Sequence, residues 1–290
     1  MQDKDIKKAK LQMVIATVAF GTIGVFRRWI TLPSTALAMA RGLIGALYLL
    51  LTHLIRKTPF DKEGIRKNGV KLALTGALIG FNWIALFESY NYTSVAKATL
   101  YYYSAPIFLI LLSVIFLKEK LSKKKMLCMG IAIIGIVCVS GVLDGSAAIN
   151  PYETKGLLLG LLSAVMYGTV MFINKAITGI DAADKTIIQI ATAGIIMLIY
   201  GPATGDFAGI TLTPTCILMV LIVGVFHTGF CYTLFFGSMD YLSAQSVAIF
   251  TYIDPAVAIL LSALLLKEPL SIWGIIGAVL VIGSALFSEL

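Results

Sequence analysis

The sequence has few charges, few histidines and few cysteines for its length, and each shortage excludes a class of protein. Charged residues make up 13% of the 290 residues, hydrophobic residues make up 59%, and the mean hydropathy is +0.92. These values lie far from the averages of soluble domains. The composition therefore predicts a membrane protein and argues against a soluble enzyme.

Residues that carry catalysis or bind metals are scarce. His53 and His227 are the two histidines of the chain, and the sequence contains no HExxH, no GxSxG and no phosphate-binding glycine loop. The four cysteines show no CxxC spacing and are predicted to be small core thiols: Cys128, Cys138, Cys216 and Cys231. We predict no enzymatic activity, no cofactor and no metal site, with a membrane enzyme as a distant alternative.

Apolar runs long enough to cross a bilayer core of about 30 Å follow one another along almost the whole chain. We count ten, at residues 11–29, 34–55, 70–88, 94–117, 126–143, 156–174, 186–201, 215–236, 243–266 and 271–287. The first run has no small-residue cleavage site, so it is predicted to be a retained helix and not a signal peptide. The predicted fold class is an all-α polytopic membrane protein with ten transmembrane helices.

The distribution of lysine and arginine predicts the orientation of these spans. If the N-terminus is cytoplasmic, 17 basic residues fall in cytoplasmic segments, five fall on the opposite side, and Arg41 lies inside a span. Cytoplasmic loops carry such an excess of positive charge. We therefore predict a multi-pass protein of the cytoplasmic (inner) membrane with both termini inside. The net charge of +8 is explained by topology, without a nucleic-acid partner.

One stretch of the sequence occurs twice. The chain reads PIFLILLSVIFLKEKLS from Pro106 to Ser122 and PAVAILLSALLLKEPLS from Pro255 to Ser271, and 13 of 31 positions are identical between Tyr92–Ser122 and Tyr241–Ser271. The repeat divides the chain into residues 1–147 and 148–290, with five predicted spans each. Because five is odd, the second copy must enter the membrane with the opposite orientation. Such inverted repeats are typical of transporters.

The ten spans, the inverted 5+5 duplication and the paired endings LSVIFLKEKLS and LSALLLKEPLS resemble the EamA type of the drug/metabolite transporter superfamily. The resemblance implies that architecture and a role in moving small metabolites, often outward. We therefore predict a secondary transporter of a small amino-acid-like or amine solute that works by alternating access, with export favoured. Uptake of a similar solute and, less favoured, a passive channel remain alternatives. The expected partners are the solute and the lipid bilayer, while the substrate, its coupling and the oligomeric state stay open.

Charged residues inside spans are the best pointers to a solute site, since each is costly in a bilayer and is usually kept for function. Asp254 lies about eleven residues into the ninth span, near the midplane, and a functional role is favoured over a structural hydrogen bond. Arg41 lies roughly 10 Å into the second span and is predicted either to attract an anion or to pair with a carboxylate. Glu88 and Lys97 flank the connection between the third and fourth spans. For these two residues a salt bridge with each other is somewhat favoured over a role in the cavity.

Spacing places further candidates on one face of the fourth span. Lys97, Tyr101, Ser104 and Phe108 follow helical spacing, and the repeat maps their face onto the face that holds Asp254. We therefore predict a central cavity lined by spans three, four, eight and nine. Further candidates on these spans are Asn82, Trp83, His227, Tyr232 and Tyr252. A packing role is favoured for His227.

Proline and glycine mark possible kinks and contacts. Pro106 and Pro255 are predicted to interrupt the fourth and ninth spans at matching positions, either as part of a gate or as simple curvature. The pairs Gly76-x-x-x-Gly80 and Gly156-x-x-x-Gly160 are predicted to pack helices against each other, because small residues allow backbones to approach closely in a membrane.

Overall fold

The computed structural model describes residues 3–27, 29–89, 92, 101–118, 120, 122–139, 143, 153–207, 210–265 and 272–289. All longer elements of secondary structure in these ranges are helical. Six are long and apolar enough to cross a membrane, and three shorter apolar helices, Ala105–Phe116, Met126–Gly135 and Ile272–Ser284, lie in further predicted spans. The predicted multi-pass, all-α fold is confirmed, while the count of ten spans stays a prediction.

In chain order the helices are α1 Asp3–Arg27, α2 Ser34–Ile55, α3 Lys62–Ser89, α4 Ala105–Phe116, α5 Lys123–Val139, α6 Glu153–Ala176, α7 Ala182–Thr204, α8 Pro214–Ile222, α9 Cys231–Ser238, α10 Ala244–Thr251, α11 Ile253–Leu265 and α12 Ile272–Glu289. A π-helix, Val223–Phe230, joins α8 to α9, so that Pro214–Ser238 forms one apolar span. Polar caps begin several of these helices. The Asp181 carboxylate, for example, accepts a hydrogen bond from the backbone N–H of Ala183 at the start of α7.

The helices form two compact units, and each unit draws on both halves of the sequence. Unit 1 contains Phe26–Ile84, Ile173–Tyr241 and the start of α1 as far as Ala16. Unit 2 contains Thr17–Val25 and the described residues of 85–172 and 242–290. These units follow contacts in space, whereas the halves 1–147 and 148–290 follow the sequence repeat. The duplication into those halves stays a prediction.

Small residues bring helix backbones together in unit 1. A Cβ atom built on Gly42 of α2 would lie 2.9 Å from the Cα of Gly194 of α7, and one on Gly76 of α3 would lie 2.5 Å from the carbonyl oxygen of Gln189. Neither position has room for a side chain. The packing role predicted for Gly76 is confirmed, and α7 is the helix that it contacts.

Buried ionic groups stabilise the ends of several helices in unit 1. His53 Nδ1 lies 3.5 Å from Asp184 Oδ1, both side chains are buried, and the His53 ring stacks on Phe60. The buried Lys185 Nζ lies 3.0 Å from Asp240 Oδ1. Partial burial raises the pKa of Asp240 above its ordinary value, and the positive charge of Lys185 opposes that rise. The pairing of His53 with Asp184 and its stacking on Phe60 therefore explain why this histidine is buried.

Unit 2 has an aromatic core where α5 and α12 meet the ends of α4 and α11. The buried members of this core are Tyr103, Ala132, Tyr252, Ala256 and Ala278. Elsewhere in the described chain all four cysteines are buried and free, so their prediction as core thiols is confirmed.

Candidate functional site

Arg41 is a buried charge in the middle of unit 1. Its residue is 4% exposed, its Nε donates a 3.0 Å hydrogen bond to Thr228 Oγ1, and its Cζ lies 4.3 Å from the centre of the Trp83 ring. The Thr228 hydroxyl in turn donates to the carbonyl oxygen of Val223 in the π-helix. Arg41 of α2 therefore joins α3 to the Pro214–Ser238 span through neutral polar and aromatic contacts.

The aromatic wall of this site continues from α3 to α9. The Trp83 and Tyr232 rings meet edge to face with centroids 6.2 Å apart, and Tyr232 contacts Phe236 in the same way at 5.2 Å. At the offset of 149 that relates the two copies of the sequence repeat, Trp83 corresponds to Tyr232. Two residues at matching positions of the sequence repeat are therefore in contact within unit 1.

Two further candidates on these spans are buried in unit 1. His227 is fully buried, and its ring meets the edges of Phe26 and Phe226 at centroid distances of 4.9 and 5.2 Å. This aromatic packing agrees with the role that the sequence favoured for His227. Asn82 is also buried and directly precedes Trp83.

Unit 2 contains two helix breaks at matching positions of the sequence repeat. Helical structure is interrupted at Tyr103–Ser104 before α4 and at Tyr252 between α10 and α11. Pro106 and Pro255 follow these breaks in the first turn of α4 and α11. A proline there loses no intrahelical hydrogen bond. Each proline therefore begins a new helix after a break, at the positions the sequence predicted for interruption.

A glycine from another helix packs against each break. A Cβ built on Gly168 of α6 would lie 2.7 Å from the carbonyl oxygen of Ala105, and one on Gly21 of α1 would lie 2.6 Å from that of Asp254. Ala105 and Asp254 are repeat-related residues, and each directly precedes a proline. The same backbone contact is thus made twice in unit 2.

Asp254 gives one of the two breaks a charge. The side chain is partly exposed and accepts a hydrogen bond from the Tyr103 hydroxyl. Tyr252 is fully buried, and its hydroxyl has no hydrogen-bond partner among the described residues. Asp254, Tyr103 and Tyr252 therefore lie close together in unit 2.

The comparison with known proteins identifies the family of this chain. A model described as the EamA-like transporter family matches residues 7–141 and, a second time, residues 154–289. The chain belongs to this family. The predicted membership of the drug/metabolite transporter superfamily is confirmed.

Relatives of this EamA protein share most of its length. An "Uncharacterized transporter YxxF" of Bacillus subtilis (strain 168) is 32% identical to this chain. The match covers 90% of this chain and 83% of the length of that relative. An "Uncharacterized transporter" of Archaeoglobus fulgidus is 25% identical, and the match covers 95% of this chain and 94% of that relative. A protein of known crystal structure, 17% identical, matches 97% of this chain and 96% of its own with a TM-score of 0.84, which shows the same fold. Family and relatives together indicate membrane transport of a small solute, and their names are consistent with the expectation that the protein is not an enzyme.

The remaining candidates of the EamA protein are less closely associated. Lys97 lies outside the described residues. Tyr101 is 37% exposed, and the break at Tyr103–Ser104 interrupts the regular spacing that was expected to place Tyr101, Ser104 and Phe108 on one face. Ser104 donates to the carbonyl oxygen of Tyr101, and Glu88 is partly buried near the end of α3. The shared face and the roles of these residues stay predictions.

Two residues of this arrangement were not selected from the sequence. Thr228 anchors Arg41, and Tyr103 contacts Asp254. A signal for Tyr103 was present, because it is identical to its repeat mate Tyr252. Thr228 offers no such signal, since a hydroxyl in a membrane helix most often bonds to its own backbone. Within the described residues, no cluster of His, Cys, Asp and Glu side chains is suited to hold a metal ion.

Proposed function

We propose that this EamA protein is a secondary transporter that exports a small amino-acid-like or amine solute across the cytoplasmic membrane by alternating access. The observation that carries the proposal is the pair of matched breaks in unit 2, where Gly168 packs on the Ala105 carbonyl and Gly21 packs on the Asp254 carbonyl. An inverted repeat can open a central site to either side by exchanging the conformations of its two copies. Two equivalent helix breaks would allow each copy of the repeat to adopt the conformation of the other.

The two family matches support the same proposal, because one match falls in each half of the chain. Charged residues support it as well: Arg41 is buried in unit 1, and Asp254 is partly exposed in unit 2. A charge within an apolar span marks a solute or ion path more often than a packing contact. The cationic group of an amine or an amino acid is complementary to the carboxylate of Asp254.

Reconstitution in liposomes tests the proposal. Purified protein is screened with radiolabelled amino acids and amines, and uptake is compared between empty liposomes and liposomes preloaded with the same unlabelled solute. A carrier is expected to show faster labelled uptake into preloaded liposomes, because the return of a loaded site replaces the return of an empty one. Flux far above carrier rates without this exchange would instead identify a passive channel. Net movement in right-side-out and inverted vesicles distinguishes export from uptake.

The orientation on which export depends is testable in intact cells. Single cysteines replacing Lys62 and Lys123 should be protected from an impermeant thiol reagent applied outside, whereas a cysteine replacing Ala148 should react. This result is expected because the first two positions lie in basic segments predicted to be cytoplasmic. Labelling at Lys62 in sealed cells would contradict the orientation.

A further inference from the structure

Gln245 joins the beginning of α10 to the chain segment that follows α4. Its Nε2 donates a 2.7 Å hydrogen bond to the carbonyl oxygen of Lys120, and its Oε1 accepts a 3.2 Å hydrogen bond from the backbone N–H of Ser122. The glutamine is 5% exposed. One buried side chain of unit 2 therefore satisfies two backbone groups of another segment, and we call this pair of hydrogen bonds the Gln245 clamp.

Local structure fixes both sides of the Gln245 clamp. Ser243 caps α10, since its side chain accepts a hydrogen bond from the backbone N–H of Ser246. After α4 the chain turns at Lys118, whose φ of 53° lies in the left-handed region that favours glycine. A lysine keeps such a conformation where surrounding contacts hold it. The clamp supplies contacts of this kind two residues later.

The Gln245 clamp lies where the fourth span ends and the ninth span begins, at the side predicted to be cytoplasmic. The fourth span ends at the basic segment 118–125, and the ninth span begins at residue 243. When an inverted repeat alternates access, the helices around the solute site part at one end in one conformation and at the other end in the other. In this structure the cytoplasmic ends of the two spans are held together.

The sequence repeat contains the backbone partners of the clamp twice and the glutamine once. At the offset of 149, the two backbone partners correspond to Pro269 and Ser271, which also provide a carbonyl oxygen and an N–H group. Gln245 corresponds to Ala96, whose methyl group forms no hydrogen bond. An exchange of conformations between the two copies therefore breaks the clamp without forming an equivalent one at the opposite end.

We propose that Gln245 is a gating residue that keeps the cytoplasmic ends of the fourth and ninth spans together, and that its two hydrogen bonds break when the protein opens toward the cytoplasm. This inference rests on the proposed alternating access and adds a preferred resting state, closed on the cytoplasmic side. The preference is modest, because Lys120 and Ser122 are exposed and their backbone groups bond to water once the clamp opens.

Thiol labelling from the cytoplasmic side tests the clamp without any solute. Ala248 is fully buried and lies three residues after Gln245 on the same face of α10, so a cysteine at this position reports the separation of that face. Inverted membrane vesicles that contain Ala248→Cys are treated with an impermeant thiol reagent. The labelling rate is compared with that of the same protein carrying Gln245→Met, which keeps the length of the side chain and removes both hydrogen bonds.

Two controls accompany this comparison. Gln12→Met is the matched substitution, because Gln12 is a partly buried glutamine of α1 outside the clamp. The native Cys138 is buried near the opposite end of α5 in unit 2, and its labelling reports general loosening of the protein.

Gln245→Met is expected to raise the labelling rate at position 248 by about tenfold, as the loss of two neutral hydrogen bonds predicts. Gln12→Met should leave that rate unchanged, and labelling of Cys138 should stay low in every variant. An unchanged rate in Gln245→Met, or an equal rise at Cys138, overturns the inference. Should Gln245→Met fail to fold, Gln245→Asn decides in the same way, because its amide is one methylene too short to reach both partners.

The outcomes separate the clamp from the transport function, since labelling needs no solute. If labelling responds as expected while the liposome screen finds no transported solute, the clamp stands and the proposed amino-acid-like or amine solute is wrong. If a solute is transported and labelling does not respond to Gln245→Met, the transport function stands and the clamp is wrong.

Discussion

The helix break at Tyr103 and the helix break at Tyr252 share their backbone arrangement and differ in one side chain. At each, a buried tyrosine precedes a proline by three positions, and a glycine of another helix packs on the carbonyl that precedes the proline. The difference is that Ala105 stands where the other break has Asp254. The shared features hold the helices in place, and the feature that differs is a carboxylate present at one break and not at the other.

The difference extends to the hydroxyls of the two tyrosines. Tyr103 donates to the Asp254 carboxylate. The residue that corresponds to Asp254 at the other break is Ala105, and the buried hydroxyl of Tyr252 is without a hydrogen-bond partner in the described part of the chain. The tyrosine hydroxyl is therefore satisfied at one break and unsatisfied at the other.

Replacing either glycine should have the largest effect. Gly21→Ala and Gly168→Ala each place a Cβ within 2.7 Å of a backbone carbonyl oxygen, which forces two helices apart and should lower the free energy of unfolding by about 1–3 kcal/mol. Thermal unfolding in detergent and exchange in liposomes measure the result. Gly130→Ala in α5 is the control, because a Cβ there meets no atom of the described residues within 4 Å. If either variant is as stable as Gly130→Ala, the two contacts are not equivalent.

Removing the charge at one break should affect transport more than folding. Asp254→Asn keeps the shape and cannot ionise, so we expect transport to fall by about tenfold, in line with the loss of about 1.4 kcal/mol in one charged interaction. Loss of pH-gradient-driven accumulation with retained exchange would identify a proton carrier. Weaker binding of cationic solutes would identify a counter-ion of the substrate.

Asp181→Asn provides the matched control for this prediction. Asp181 is exposed and caps α7, and asparagine caps a helix about as well as aspartate. Unchanged binding and unchanged transport in Asp254→Asn would show that Asp254 is structural. The break at Tyr252 would then have no role in binding a solute.

Much of the fold could be predicted because a membrane span is encoded by a continuous run of residues. The predicted second span, 34–55, coincides with α2, and the matched prolines Pro106 and Pro255 mark the breaks correctly. Hydropathy and proline chemistry act locally along the chain, so both can be recognised without a structure.

The contacts of the site could not be predicted to the same extent, because they join residues far apart in the sequence. Arg41 and Thr228 are separated by 187 positions, and the π-helix changes which side chains of its span share a face. Helical spacing predicts that Tyr101 and Ser104 share one helix face, but the structure has a turn at Tyr103–Ser104. Tyr103 is the residue that contacts Asp254, whereas the predicted role of Tyr101 in the solute site stays a prediction.

The smallest expected effect is that of Tyr252→Phe, which is measured against Tyr103→Phe. Tyr103→Phe removes the donor to Asp254 and should lower the free energy of unfolding by about 1–3 kcal/mol, the usual range for hydrogen bonds to charged groups. Tyr252→Phe removes a buried hydroxyl that makes no hydrogen bond in the described structure. Its stability should therefore stay within about 0.5 kcal/mol of wild type or rise, because the cost of burying an unsatisfied hydroxyl disappears.

Double variants complete this test. In the double variant Tyr103→Phe with Asp254→Ala, the combined loss of stability should be smaller than the sum of the two single losses, since both changes remove the same hydrogen bond. The double variant Tyr252→Phe with Asp254→Ala should show simple additivity, because the Tyr252 hydroxyl has no hydrogen bond to Asp254 in the described structure. Equal coupling of both tyrosines to Asp254, measured by thermal unfolding in detergent, would mean that the two breaks share the carboxylate and that the asymmetry between them is wrong.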